Sequence, residues 1–559
     1  MSRFLSVLSV VLLPVLGQAQ QTTGLFLSDP GTDDGYILWG AMFGHDQYLM
    51  NTCGEVVHTW VGDGLSLGNS MYLLEDGTLL RCAKADTANG SLIIAGGGGE
   101  RIQKVDWNGN VTWDFVYYDA EKRLHHDIAP MPNGNILAIA WVLKDQSACI
   151  AAGRIPADLP QGRLFDERII EIEPTGPTTG NIIWQWDLWD HLVQEVDSTK
   201  DNYGVVADHP ELLNINWLNP AVAIPGQADW IHLNAIDYNA ELDQIVLSSQ
   251  IMSEIWILDH STTTEEAAGH SGGTYGKGGD LLYRYGNPQV YDRGTTVDQM
   301  LWRQHDAHWI PSGFPDGGGI MIFNNGLDRP IGFSEIDVIE PPQSTPGAYG
   351  TPSTGEVFGP STKAWNYRAE DPVTFYSFFI SGARRSASGN TLICEGEKGR
   401  LFEVTHEGEK VWEYVNPETH VGMLSSTEPI PSNGGGAYQG NLVFRAEKYP
   451  VDFPGFNGHD LSTGVQLEAD PFIECSILSQ EHIERPAVGI HPNPAHGSVV
   501  VMGMDRAHVY LFDPTGRLVK SSRLNTDREH IDLSGFGPGL YLLRFERGGS
   551  WSSEVLLVN

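Results

Sequence analysis

The chain has 559 residues, with 64 Gly, 32 Pro, 10% aromatics and a formal charge of −37 at pH 7. That length is too great for one ordinary core and suits a large repeat body plus a small domain. The Gly, Pro and aromatic content fits many short strands joined by turns. So acidic a balance excludes nucleic acid as an expected partner, because phosphate binding needs a basic surface, and it suits an extracellular setting.

The N-terminus sets the compartment. Arg3 supplies a positive start, Phe4 to Leu16 is an apolar run broken by Ser6, Ser9 and Pro14, and Gly17-Gln18-Ala19 offers a cleavage site. Residues 1–19 are therefore expected to be a secretory signal peptide. No later stretch approaches the roughly 20 apolar residues that span a bilayer, so no transmembrane segment is expected.

From residue 20 to 470 the text repeats. One half-pattern is a strand, a turn with Gly and an apolar strand: NSMYLLEDGTLLRC from Asn69 and HDIAPMPNGNILAIAW from His126. It recurs from Ser381, and more loosely from His232, His305 and Ser425. The other half ends in Val-x-Trp or a relative of it: IQKVDWNGNVTW from Ile102, LFEVTHEGEKVW from Leu401, and looser copies from Ile169 and Ile255. Each pair of halves makes about four short antiparallel strands, which bury both faces only when stacked round an axis. The body opens with a lone second half, Tyr48 to Trp60, and closes with a lone first half from Gly440. Together they complete a blade, which shuts the ring and removes open edges. The expected fold is all-β, a six-bladed β-propeller followed by a small C-terminal β-sandwich. Two insertions, 142–168 and 188–228, are expected as loops on one face, where function usually lies.

Five cysteines are present and none forms a C-x-x-C pair, so neither a zinc nor a redox motif is indicated. Cys82 and Cys394 end similar strands and read as buried thiols. Cys53 and Cys475 are a candidate bridge.

Aligning the first halves on their turn glycine puts one position per blade at the start of the innermost strand. Those positions are Asn69, His126, His232, His305, Ser381 and Ser425. They should converge at one mouth of the channel, with Asp127 and Asp306 orienting the neighbouring imidazoles. Two chemistries fit. Three histidines with Arg329 would make a donor-rich pocket for a sulfate or phosphate ester. Three histidines with an open position also describe a metal site.

Residues 471–487 read as a linker, and from residue 488 to 559 the text changes. IHPNPA, VYLFDPTGRLV, IDLSGFGPGLYLLRF and EVLLVN describe alternating strands with tight turns, a small sandwich. These phrases resemble the type A sorting domain of the type IX secretion system. The resemblance implies passage through the outer membrane, a secreted or surface location, and the secretion machinery as a partner.

The body resembles the bacterial arylsulfotransferases. The phrases that carry this are GEVVHTW from Gly54, DWIHLNAIDYN from Asp229, QHDAHWIP from Gln304, IFNNGLDR ending at Arg329, and NTLICEGEKGRLFEV from Asn390. The resemblance implies a six-bladed propeller and transfer of a sulfuryl group from a phenolic sulfate ester to a phenol acceptor, with no nucleotide donor, cofactor or metal. By motif match His232 and His305 support the sulfate, Asn234 and Arg329 help bind it, and His126 is the candidate base or nucleophile. Arg400 stands near the place of the family's nucleophilic histidine; Arg stays protonated and cannot attack, so Arg400 is expected to bind substrate with Arg329 and Asn234. The alternatives left open are a non-catalytic surface propeller for sulfated or acidic glycans, and a hydrolase or metal-dependent enzyme on the same histidines.

Overall fold

The structure is a computed structural model. It describes residues 20–62, 64, 66–85, 91–436, 438–471, 489–502, 506–514, 517–526, 528–547 and 550–559. The expected signal peptide, nearly all of the expected linker, and Cys475 lie outside the described residues. The chain divides into a body ending at Ile473 and a C-terminal unit beginning at Glu474.

The body is a β-propeller; among the described residues it has six sheets of four or five strands, here called blades and written from the innermost strand outward, besides small two-stranded sheets. Blade 1 runs Leu67–Leu73, Leu79–Ala83, Arg101–Val105 and Val111–Val116. Blade 2 runs Lys122–Pro130, Ile136–Asp145, Arg163–Gly176 and Thr179–Asp187. Blade 3 runs Leu233–Asn239, Gln244–Ser249, Glu254–Asp259 and Tyr283–Tyr285. Blade 4 runs His305–Trp309, Ile320–Asn324, Glu335–Ile339 and Trp365–Tyr367. Blade 5 runs Gly382–Arg385, Thr391–Glu395, Arg400–Val404 and Lys410–Val415, with Gly24–Ser28 added outside. Blade 6 runs Glu447–Tyr449, Tyr36–Trp39, Gln47–Asn51 and Glu55–Trp60, with Val465–Gln466 outside.

The core lies between blades. One apolar cluster joins blades 1 and 2 through Ile102, Phe115, Ile136 and Ile170. Others join 2 to 3, 3 to 4, 4 to 5 and 5 to 6. A further cluster, with Leu38, Leu49, Leu73 and Val105, joins blade 6 back to blade 1. Middle strands are therefore covered on both faces, and Gln244–Ser249 and Glu254–Asp259 are buried at every position. Strands buried on both faces read as near-continuous apolar runs rather than alternating ones.

The Val-x-Trp repeats have a physical task. Trp60 of blade 6 donates its indole N–H to Asp106 O in blade 1 (3.1 Å), and Trp113 of blade 1 donates to Thr179 O in blade 2 (3.0 Å). Trp184 of blade 2 donates to the Thr262 hydroxyl (3.1 Å), beside blade 3, and Trp412 of blade 5 reaches Thr52 O in blade 6 (2.7 Å). Each indole thus satisfies an acceptor of the following blade, a stitch of about 1 kcal/mol.

Ring closure is double. Tyr36–Trp39 pairs antiparallel with Glu447–Tyr449, and Gly24–Ser28 pairs antiparallel with Lys410–Val415. The expected pairing of the two ends within one blade holds. The residue of blade 6 that matches the histidine positions is Phe444, however, whose carbonyl accepts from Ser381 N–H. Ser425 instead bridges to Ala469, away from the inner strand. Cys82, Cys149 and Cys394 are free and buried, and Cys53 is disulfide-bonded.

The C-terminal unit is a seven-stranded arrangement whose core includes Val499, Val501, Val509, Leu511, Ile531, Leu543, Phe545 and Leu556. Alternation is visible: in His508–Phe512 the two valine and leucine positions are buried and their neighbours are not.

Candidate functional site

Four of the six inner strands are bulged near the histidine level of the channel. Register shifts fall between Leu67 and Met71, between Ala138 and Ala140 opposite His126, between Leu233 and Ala235, and between His305 and His308. Bulges re-aim side chains next to sites. His126 and His232 also adopt left-handed backbone, with φ of 54° and 55°. Such conformations cost a non-glycine residue about 1–2 kcal/mol and concentrate where structure serves function.

His126 and His232 meet edge to face, with ring centroids 4.6 Å apart. Behind His126 stands a chain of polar contacts. Its Nδ1 lies 2.9 Å from Nδ1 of His125, and His125 Nε2 lies 2.9 Å from Glu167 Oε2. His125 is stacked on Trp141 at 3.8 Å, which fixes the ring. Burial pushes the Glu167 carboxyl up and both imidazoles well down, His126 being lowered further by His232, His125, His305 and Arg445. His126 is thus a neutral base whose inner nitrogen can pass a proton to His125 and on to Glu167.

His232 is the opposite case. Burial opposes its charge, but Asp229 Oδ2, 2.6 Å from Nδ1, outweighs that, and the pKa is raised. Its Nδ1–H is committed to Asp229, so Nε2 is the nitrogen that faces the site. The pair therefore sets a depressed and a raised imidazole side by side, the condition for separate base and acid roles.

His305 is committed to the fold. Asn325 spends both amide protons on Ser377 O (2.8 Å) and Ile380 O (2.9 Å), so its oxygen accepts from His305 Nδ1–H at 2.8 Å. The bare Nε2 then accepts from Ile380 N–H at 3.2 Å. Burial drives this imidazole to about 3. It has no lone pair left for a metal and no free N–H for an oxyanion, so the three histidines do not form a metal triad.

The aspartates do not orient the imidazoles as expected. Asp127 and Asp306 clamp Arg445, each at 3.0 Å, in a charged layer next to the histidines. Arg384 joins it, 2.5 Å from Asp306 and from Glu447. The orienting groups are His125, Asp229 and Asn325. Sequence reasoning missed His125, Glu167 and Asp229. The tandem His125-His126 and the spacing of Asp229 three residues before His232 were the available signals.

Two expected binding residues are engaged by carboxylates. Arg329 pairs with Glu335 and lies over the Phe333 ring, 4.2 Å from its centroid. Arg400 pairs with Glu413 at 2.6 Å and Glu395 at 2.9 Å in the third strand of blade 5. Neither is joined to the histidines by a hydrogen bond. Asn234 is buried and donates to Gln304 O at 2.8 Å, linking blades 3 and 4. Arg445 acts on His126 and His305 and Arg303 acts on His232; Arg445 Nη2 and Arg329 Nη1 are both buried without a partner among the described residues.

Gly97 lies against His126. A Cβ there would fall 2.0 Å from His126 Nε2, and its φ is +81°. Beside it a cavity of about 410 Å³ is lined by Ile94, Ala95, Gly96, Arg163, Phe165 and Asp229, among others.

Two family models match the chain. Residues 44–428 match the arylsulfotransferase (ASST) model, and residues 489–559 match the secretion system C-terminal sorting domain model. The sorting domain indicates export and a surface or secreted location, and suggests the type IX machinery as a partner. Among the described residues no helix is long and apolar enough to cross a membrane. No match is found among curated protein sequences. Similar solved structures include a protein of unknown function from Bacteroides caccae, at 11% identity and TM-score 0.38, covering 74% of this chain and 98% of that one. A streptogramin B lyase is similar at 10% identity and TM-score 0.31, covering 76% of this chain and 97% of that one.

Proposed function

This chain belongs to the arylsulfotransferase family, and from that premise we propose that it transfers a sulfuryl group from a phenolic sulfate ester to a phenol acceptor, with His126 as nucleophile. The observation that carries this reading is the line from Glu167 through His125 to His126, with His232 and Asp229 alongside.

In the first half-reaction His126 Nε2 attacks sulfur. The N–S bond forms, the S–O bond to the phenol breaks, and the departing oxygen takes its proton from His232. Nδ1–H of His126 passes toward His125 Nδ1, and the proton on His125 Nε2 passes to Glu167, which enters the step as the carboxylate with its other oxygen accepting from Leu233 N–H at 3.0 Å. In the second half-reaction the acceptor phenol returns a proton to His232 as its oxygen attacks sulfur, and the relay runs backward. Splitting one transfer into two is covalent catalysis. The His232 imidazolium and Arg445 would offset charge on the sulfuryl oxygens, in place of Arg329 and Arg400. Asn234 would hold the inner strand beside His232.

A pure glycan binder should present aromatic platforms. Among the described residues the exposed large hydrophobics include two aromatics, Phe43 and Tyr203. That favours the enzyme.

The test is release of a chromogenic phenol from an aryl sulfate, with and without an acceptor phenol, by the wild type and His126→Ala. Acceptor-dependent release that is lost in the variant is expected. Acceptor-independent release would replace transfer by hydrolysis. No release over a panel of donors, or release unchanged in His126→Ala, would overturn the reading.

A further inference from the structure

The two insertions and the loop after the third strand of blade 3 meet away from the channel histidines. The first contributes a short helix, Gln146–Ala151, capped by Asp145, and the second a helical turn, Leu188–His191. Together with residue 270 they line a cavity of about 820 Å³.

Beside it, with His270 in its lining, three potential ligand atoms gather. His191 Nδ1 and His270 Nδ1 each lie 2.8 Å from the same oxygen, Oδ1 of Asp280. The three atoms all lie within 4.8 Å of one another. His191 is fully buried and parallel to Trp186, with ring centroids 5.6 Å apart.

The hydrogen bonding decides what this arrangement is for. His191 Nε2 lies 2.8 Å from Ala267 O. A carbonyl only accepts, so Nε2 carries the proton. In a neutral ring with that tautomer Nδ1 is a lone pair, and it faces a carboxylate oxygen that is also an acceptor. Two lone pairs at 2.8 Å need a cation between or beside them. A backbone carbonyl holding the far nitrogen is the usual way a protein fixes a ligating histidine in its metal-binding tautomer.

We propose that His191, His270 and Asp280 bind a divalent transition metal of the zinc class, with its remaining coordination positions open to the cavity. Two imidazoles and one carboxylate suit such an ion rather than calcium or magnesium, which prefer oxygen ligands. The ligands come from two separate segments, so the ion would tie the second insertion to the blade 3 loop. His270 is 61% exposed at its side chain, which leaves the ion reachable by solvent and small ligands.

The test uses the untagged mature chain, stripped with chelator and dialysed. Zinc is titrated by calorimetry and counted by elemental analysis, and cobalt is added as a spectroscopic probe. Zinc is expected at one ion per chain, with a tetrahedral or five-coordinate cobalt spectrum. His270→Ala, at an exposed position, should weaken zinc at least tenfold with melting of the metal-free protein unchanged. His232→Ala should bind zinc as the wild type does. Absence of stoichiometric zinc, His270→Ala binding like the wild type, or zinc lost in His232→Ala would each overturn the proposal. In the first two cases the His191–Asp280 contact is an imidazolium ion pair.

Discussion

His125 and His126 are neighbours in one strand, yet their Nδ1 atoms face each other at 2.9 Å. Successive residues of a regular strand point to opposite faces. The left-handed φ of 54° at His126 and the bulge opposite it bring both imidazoles to one side. A tandem pair thus lies on one line of polar contacts that ends on Glu167.

The path predicts a graded set of losses. Glu167→Gln keeps the shape of the terminal group and removes its ability to take a proton. It should lower kcat by on the order of 10²-fold with little change in KM, as loss of a positioned acid–base group does. His126→Ala should fall to background. Equal kcat for Glu167→Gln and wild type in steady-state assays would remove the relay from the mechanism.

Gly97 should be as sensitive as a catalytic residue without being one. Alanine there meets His126 Nε2 at 2.0 Å and keeps a left-handed backbone, a strain of about 1–2 kcal/mol. Gly96 has open space at its Cβ. Activity should therefore collapse in Gly97→Ala and survive in Gly96→Ala, with both proteins folded by circular dichroism. The reverse order would show that the loop does not bear on His126.

The pH profile should be set by His232 on its alkaline side. Its raised pKa means the acid form persists above the ordinary histidine range and is lost as pH rises through the folded value. By linkage, its contribution to stability is complete below the unfolded value of about 6.5 and fades over the same rise. His126, lowered by burial, stays neutral and adds no acidic limb near pH 6. Asp229→Asn should shift the alkaline limb of kcat to lower pH. A limb that stays in place would assign it to another group.

Trp412 tests the stitching of the ring. Its indole donates to Thr52 O, whereas the equally buried Trp39 has an indole nitrogen without a partner among the described residues. Both Trp→Phe changes lose similar volume. Trp412→Phe should cost about 1 kcal/mol more than Trp39→Phe, the value of the lost hydrogen bond. Equal denaturation midpoints would assign the Val-x-Trp repeat to packing alone.

The sequence alone was enough for the all-β propeller body, the pairing of that body's two ends in one blade, the cysteines 82 and 394 as buried thiols, the C-terminal sorting domain and the family. These are local patterns: a turn glycine, an apolar strand and a tryptophan at fixed spacing are visible without knowing what they touch. It also brought His126 and His232 to the same level of the channel, because equivalent positions in a repeat occupy equivalent places round the axis.

Only the tertiary structure decided what each side chain does there. Equivalence round the axis made His305 look like His232, but Asn325 and Ile380 N–H, from other segments, use both of its nitrogens. Arg329 matched a motif and Arg400 stood at a motif position in place of a histidine, and nearby carboxylates pair with both. Arg445 and Glu167 carried no local signal, since a buried charge is defined by partners far away in sequence. Protonation follows from burial and from the neighbour at 3 Å, and neither is a property of spacing along the chain.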